Sequence, residues 1–144
     1  MDRKTVVYFS IIILLLINCS KKDENGLDIE SYFCRDKKNE IDTNKIRATI
    51  IGKWQLVASL SPWTQEVKQF ENQPKQTYLI IYPDFTYERF TEGDTILKDK
   101  FLITIDSTTA SSNVEGNFWF CNENILITSN AYLDGPTYRY ERSK

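Results

Sequence analysis

The chain contains no histidine, so the commonest general base and the commonest metal ligand are both missing. Cys–His pairs and Ser–His–Asp triads go with them. Glycine occurs five times, at positions 26, 52, 93, 116 and 135, and none of these forms the Gly-x-Ser-x-Gly turn of a nucleophilic serine. The Asp-x-Asp-x-Asp-Gly pattern of a calcium loop is also absent. Only one long apolar run exists, which excludes a polytopic membrane protein. Eighteen Lys and Arg face twenty Asp and Glu, for a formal charge of −2, so there is no basic surplus to draw the chain to nucleic acid. What is present is 144 residues, 41% apolar and 26% charged. That suffices for one domain with a core, and it excludes a collagen-like or wholly disordered chain. Asp84, Asp94, Asp106, Glu123 and Asp134 fall in or beside predicted turns, where short polar side chains stabilise the turn itself. No spacing suggests a carboxylate pair for acid–base work. We therefore expect no catalytic residue, no metal site and no cofactor.

The first eighteen residues read as an address. Arg3 and Lys4 precede an apolar run from Val6 to Ile17, interrupted only by Ser10. Twelve helical residues rise about 18 Å, short of the roughly 30 Å of a bilayer core but suited to a secretory signal. The run ends Leu16-Ile17-Asn18-Cys19, which resembles the lipobox of bacterial lipoproteins. Asn18 departs from the small residue usual there. The resemblance implies lipidation at Cys19, which becomes the mature N-terminus and anchors the chain in a membrane by two or three acyl chains. Lys22-Asp23-Glu24 behind it resembles the surface-export signal of Bacteroidetes lipoproteins, so the expected location is the cell envelope, as an outer-membrane lipoprotein facing the periplasm or the surface. Removing residues 1–18 takes Asp2, Arg3 and Lys4 and leaves a formal charge of −3. With Cys19 committed to lipid, Cys34 and Cys121 remain as an even pair in an oxidising compartment, and we expect a disulfide between them.

The mature chain divides at about residue 40. Residues 19–40 form a charged tether, in which Tyr32, Phe33 and Cys34 make an apolar knot expected to dock on the domain. The domain spans 41–144. Asp42 or Thr43 can cap a short helix whose Ile46 and Ile50 share a face, with Gly52 stopping it. Period-two alternation then marks strands at 53–60, 77–82, 85–91, 95–105, 114–121, 125–130 and 137–141, seven in all, or eight if 95–105 breaks. Residues 107–113 read as a polar loop. Ser61, Pro62 and the spacing of Trp63, Val67 and Phe70 predict a short amphipathic helix within 61–76, lying across a barrel mouth. Short connections make sequence neighbours pair antiparallel, and a meander of this size closes into a barrel to remove its edges. The expected fold is all-β, a small antiparallel up-and-down barrel.

Gly52-Lys53-Trp54, at the start of the first strand, resembles the Gly-x-Trp motif of the lipocalins. The resemblance implies a Trp closing the barrel base against an Arg near the end of the last strand, here Arg139 or Arg142, either of which could stack on Trp54. The lipobox, the tether, the run GKWQLVAS, the strand–turn–strand YPDFTYERF and the Tyr-x-Tyr-x-Arg ending together resemble lipocalin-like lipoproteins of Bacteroidetes, over about residues 46–144. Alternation about Cys121 predicts that Trp119 and Cys121 point out while Phe118 and Phe120 point in. Leu56, Phe101, Ile103, Phe118 and Phe120 would then line the interior and meet any ligand. Two functions follow: a lipid-anchored protein holding a small apolar ligand, or a filled barrel acting by contact with another envelope protein. Both are non-enzymatic, and the first is preferred on the resemblance.

Overall fold

A computed structural model describes residues 22, 26–37, 43–94, 97–100, 102–105, 110–130 and 134–144. The signal, Cys19, Asp42 and Phe101 lie outside the described residues. Two short helices, α1 (Ile29–Tyr32) and α2 (Thr43–Ile50), precede ten strands. These are β1 (Gly52–Leu60), β2 (Val67–Gln69), β3 (Thr77–Ile81), β4 (Thr86–Thr91), β5 (Leu97–Lys100), β6 (Ile103–Ile105), β7 (Ala110–Ser112), β8 (Gly116–Asn122), β9 (Ile125–Ser129) and β10 (Thr137–Arg142). Nine of them form one antiparallel sheet in the order β5-β4-β3-β1-β10-β9-β8-β7-β6, and β2 pairs with β1.

That order amounts to a curled meander. Its outermost strands, β5 and β6, are consecutive in the chain and separated only by residues 101–102, so the sheet must curl until its two edges meet at that link. The first and last long strands pair along their length, with Trp54 opposite Arg142, Leu56 opposite Tyr140 and Leu60 opposite Thr137. The result is the expected small all-β barrel, in which the stretch 95–105 breaks into two strands that serve opposite neighbours.

Two predicted segments take other forms. Residues 61–76 contain no helix. Ser61 does cap a turn, accepting the Thr64 N–H at 3.2 Å, but Gln65 enters the left-handed region at φ 57° and ends it. β3 pairs with only Gly52–Gln55 of β1, which leaves Ala58–Leu60 open on that side. β2 fills the gap, because ladder bonds to an otherwise unpaired stretch outweigh one amphipathic turn. Trp63 is consequently 75% exposed instead of buried. The predicted polar loop 107–113 contains β7, whose Ala110 pairs with Phe118.

The core is double. Inside the barrel, Ile46 and Ile50 of α2 pack with Trp54, Leu56, Leu79, Ile81, Tyr87, Ala110, Phe118, Leu126 and Tyr140. Outside it, Ile29 and Phe33 of the N-terminal arm pack with Ala58, Leu60, Trp119 and Ile127. β1 contributes to both because its register against β10 shifts between Leu56 and Ala58. One extra residue exchanges the faces of everything beyond it. Trp54 and Leu56 therefore point in, and Ala58 and Leu60 point out to receive the arm.

Candidate functional site

At the barrel base, Trp54 donates its indole N–H to the Ile50 carbonyl at 2.8 Å, which ties the last turn of α2 to β1. The Arg142 guanidinium lies 4.2 Å from the Trp54 ring centroid. It also donates to the carbonyls of Thr49, Ile51 and Glu123. A cation here satisfies carbonyls that the end of α2 leaves without partners. Gly52 has φ 143°, and a Cβ on it would collide with Arg142 Nη1. Of the two candidate arginines, Arg142 is the base residue. Arg139 sits at odd spacing from it on β10 and so faces outward, with its guanidinium 4.4 Å from the Tyr32 ring and donating to the Tyr32 carbonyl. The predicted base thus assembles from Gly52, Trp54 and Arg142, while Arg139 clasps the arm.

The arm is held at two further points. Cys34 and Cys121 form a disulfide across 87 residues, with Cα atoms 5.4 Å apart. Trp119 donates its indole N–H to the Phe33 carbonyl at 3.0 Å. The parity expected on β8 therefore holds. Trp119 and Cys121 meet the arm, whereas Phe118 is buried in the inner cluster and Phe120 packs against it, 5.9 Å from Trp54. Leu56 and Ile103 also belong to the inner face. Phe101 lies outside the described residues.

Sequence reasoning missed a polar cluster within the barrel. β4 places Arg89 two residues from inward-facing Tyr87, and β10 places Tyr138 and Tyr140 on the same inner face. The turn joining β7 to β8 then delivers Glu115 among them. Its N–H is held by Ser112 Oγ at 2.9 Å. Gly116 follows at φ 70°, where a Cβ would lie 2.6 Å from the Ser129 carbonyl oxygen, so only glycine lets the chain turn there. Glu115 is 1% exposed. Its Oε2 accepts from Thr128 Oγ1 at 3.0 Å and from the Tyr140 hydroxyl at 3.1 Å. Arg89 Nη2 donates to the Tyr140 oxygen at 3.0 Å and lies 3.2 Å from Glu115 Oε1, while its guanidinium stands over the Tyr138 ring.

Electrostatics bind the cluster together. Burial, reinforced by the Glu115 charge, holds the Tyr140 hydroxyl protonated well above the usual tyrosine range. Burial alone would weaken the Arg89 cation, but Tyr140 and Glu115 outweigh it and raise its pKa. A buried ion pair of this kind contributes little net stability against its desolvation cost, so its presence within an apolar barrel points to a site. No signal in the local sequence distinguishes Glu115 from a turn carboxylate. The available signal is parity, since Arg89 alternates with inward-facing Tyr87 on β4, and Tyr138 and Tyr140 share one face of β10.

An open recess of about 460 Å³ lies at the β3–β4 turn, lined by Tyr82, Pro83, Asp84, Thr86 and Lys98. Its charges are already engaged. Lys98 pairs with Glu88 at 2.8 Å, and Asp84 Oδ1 accepts both the N–H and the hydroxyl of Thr86. Among the described residues no group of three or more Cys, Asp or Glu is placed to hold a metal ion. No protein family, curated protein or solved structure matches the chain.

Proposed function

We propose that the protein is a lipid-anchored, non-enzymatic binding protein of the bacterial cell envelope, lipocalin-like in build, that holds a small hydrophobic molecule in its barrel. The observation that carries this reading is the ion pair of Arg89 and Glu115 inside an otherwise apolar barrel. Arg89 keeps 29% of its side chain exposed while Glu115 is sealed, so the cluster leads from solvent to the interior. α2 and the Trp54–Arg142 stack occupy the base, which assigns entry to the opposite end, where β1 finishes and β8 begins. The disulfide supports an oxidising compartment, and Cys19 supplies the anchor. A filled barrel that works by contacting an envelope protein is the competing reading, favoured by the exposed Trp63 on the β1–β2 turn.

Native mass spectrometry of protein extracted from its own host's membranes separates them. The ligand reading expects a small-molecule adduct on a chain starting at acylated Cys19. An unacylated chain overturns the anchor. A co-purifying protein with no small-molecule adduct overturns the ligand reading.

A further inference from the structure

Resting on the lipid-anchored reading, we propose that the β1–β2 turn docks on the bilayer through Trp63 and holds the barrel mouth against the membrane. Trp63 stands at the tip of that turn, 75% exposed, between exposed Pro62 and Thr64. Among the described residues, Leu102 is the other large hydrophobic side chain left exposed. An indole in a membrane–water interface keeps its apolar body and its N–H each in a suited medium, which water alone does not offer. The turn is built to enter such a layer. Residues 61–65, Ser-Pro-Trp-Thr-Gln, carry no charge, and Glu66 and Lys68 behind them cancel. Ser61 Oγ accepts the Thr64 N–H, the Ser61 carbonyl that of Gln65, and Thr64 Oγ1 that of Glu66. The Pro62 carbonyl accepts from the Gln65 side-chain amide. Polar groups bonded within the turn lose little when water is withdrawn.

The anchor arrives at the same end. Cys34 is fixed by its disulfide beside the β8–β9 turn, whose Glu123 carbonyl accepts from Arg142 at the base. Backwards along the arm, Phe33 meets Trp119, nearer the start of β8 and so nearer the mouth. Ile29 lies further back, in the cluster that takes in Leu60 and Val67. Those two residues pair across the neck of the turn that carries Trp63. Lys22 forms an antiparallel bridge with Asp28, the residue before Ile29. Cys19 precedes Lys22 by three residues, so it reaches at most roughly 11 Å from that bridge. An acyl anchor so short of tether draws the mouth end to the bilayer, and not the base. In that orientation the route from lipid to the barrel interior avoids open water.

The test reconstitutes the acylated chain, purified from its own host, into vesicles of phosphatidylethanolamine and phosphatidylglycerol, with or without phosphatidylcholine brominated on its acyl chains. Tryptophan emission is compared with that of acylated Trp63→Ser, a surface substitution that leaves the fold intact. Trp54 and Trp119 are buried, so the difference between the two chains reports Trp63. The Trp63 component should be lost to brominated lipid and should escape quenching by aqueous iodide. A Trp63 quenched by iodide and untouched by brominated lipid overturns the docking and leaves the anchor standing. Shielding from both quenchers also overturns it, because protein and not lipid then covers the indole. A chain without acyl groups overturns the anchored reading and the docking with it.

Discussion

Arg142 ties three separate parts of the chain together at the barrel base. It donates to three main-chain carbonyls from α2, its exit and the β8–β9 turn, and covers the Trp54 ring. Replacing it by Met keeps much of the contact with the ring but strips all three carbonyls of their donor. Arg142→Met should lower stability by about 2–4 kcal/mol, read as a shift of the urea midpoint at unchanged slope. Gly52→Ala should act through the same contact, since its Cβ displaces the guanidinium. At this scale the sequence was readable where a motif fixes the geometry. Gly52 and Trp54 announce the base, but the choice between Arg139 and Arg142 needs the register of β10 against β1. Glu115 was unreadable, because it falls in the stretch 114–121 read as one strand, whose first residues instead complete the turn from β7 to β8. Only closure of the barrel brings Arg89, from another strand, within reach.

Among the elements, the N-terminal arm depends most on the rest of the chain. A four-residue helix has no stability in isolation. α1 exists because Ile29 and Phe33 are wholly buried against the outer sheet face and because the disulfide follows directly. Joining chain ends 87 residues apart constrains the unfolded state, nominally by about 4.5 kcal/mol. Replacing Cys34 and Cys121 together by Ser should cost about 2–5 kcal/mol in chemical denaturation. It should also raise binding of a hydrophobic dye, as Ala58, Leu60, Trp119 and Ile127 lose their cover. A double variant as stable as the oxidised protein would show that hydrophobic docking alone holds the arm. The docking of Tyr32-Phe33-Cys34 could be read from an apolar knot in a charged tether, and the parity of β8 from alternation. The bulge in β1 could not, since GKWQLVAS alternates without a break and the extra residue is set by pairing with β10. The helix expected after Ser61 failed for a related reason: its spacing is amphipathic, but the open flank of β1 competes for the same residues.

For the molecule as a whole, the buried tyrosines set the alkaline limit. Tyr140 keeps its proton in the folded state well above the usual range, through burial and the Glu115 charge. Tyr32 and Tyr87 are shifted in the same direction, chiefly by burial. In the unfolded chain these phenols ionise near pH 10. The stability they confer is therefore fully present below about pH 10 and is lost as pH rises beyond it, because the unfolded state then releases protons that the folded state retains. Unfolding free energy measured from pH 8 to 11 should fall on the alkaline side, and Tyr140→Phe should show a shallower fall. An equal slope in the variant would remove Tyr140 from this role.

The pairing of β1 with β10 also bears on how the chain reaches this state. Every other seam joins neighbours in a meander and forms locally, but this one joins the two ends of the domain, Trp54 to Arg142. Such a contact is entropically the slowest to form, since nearly the whole domain must be looped before it gains anything. The Cys34–Cys121 bond closes an overlapping interval of 87 residues, so in the oxidised unfolded chain the path from Trp54 to Arg142 is roughly halved. The seam then closes a shorter loop, so the oxidant that makes the bond also speeds the closing of the barrel.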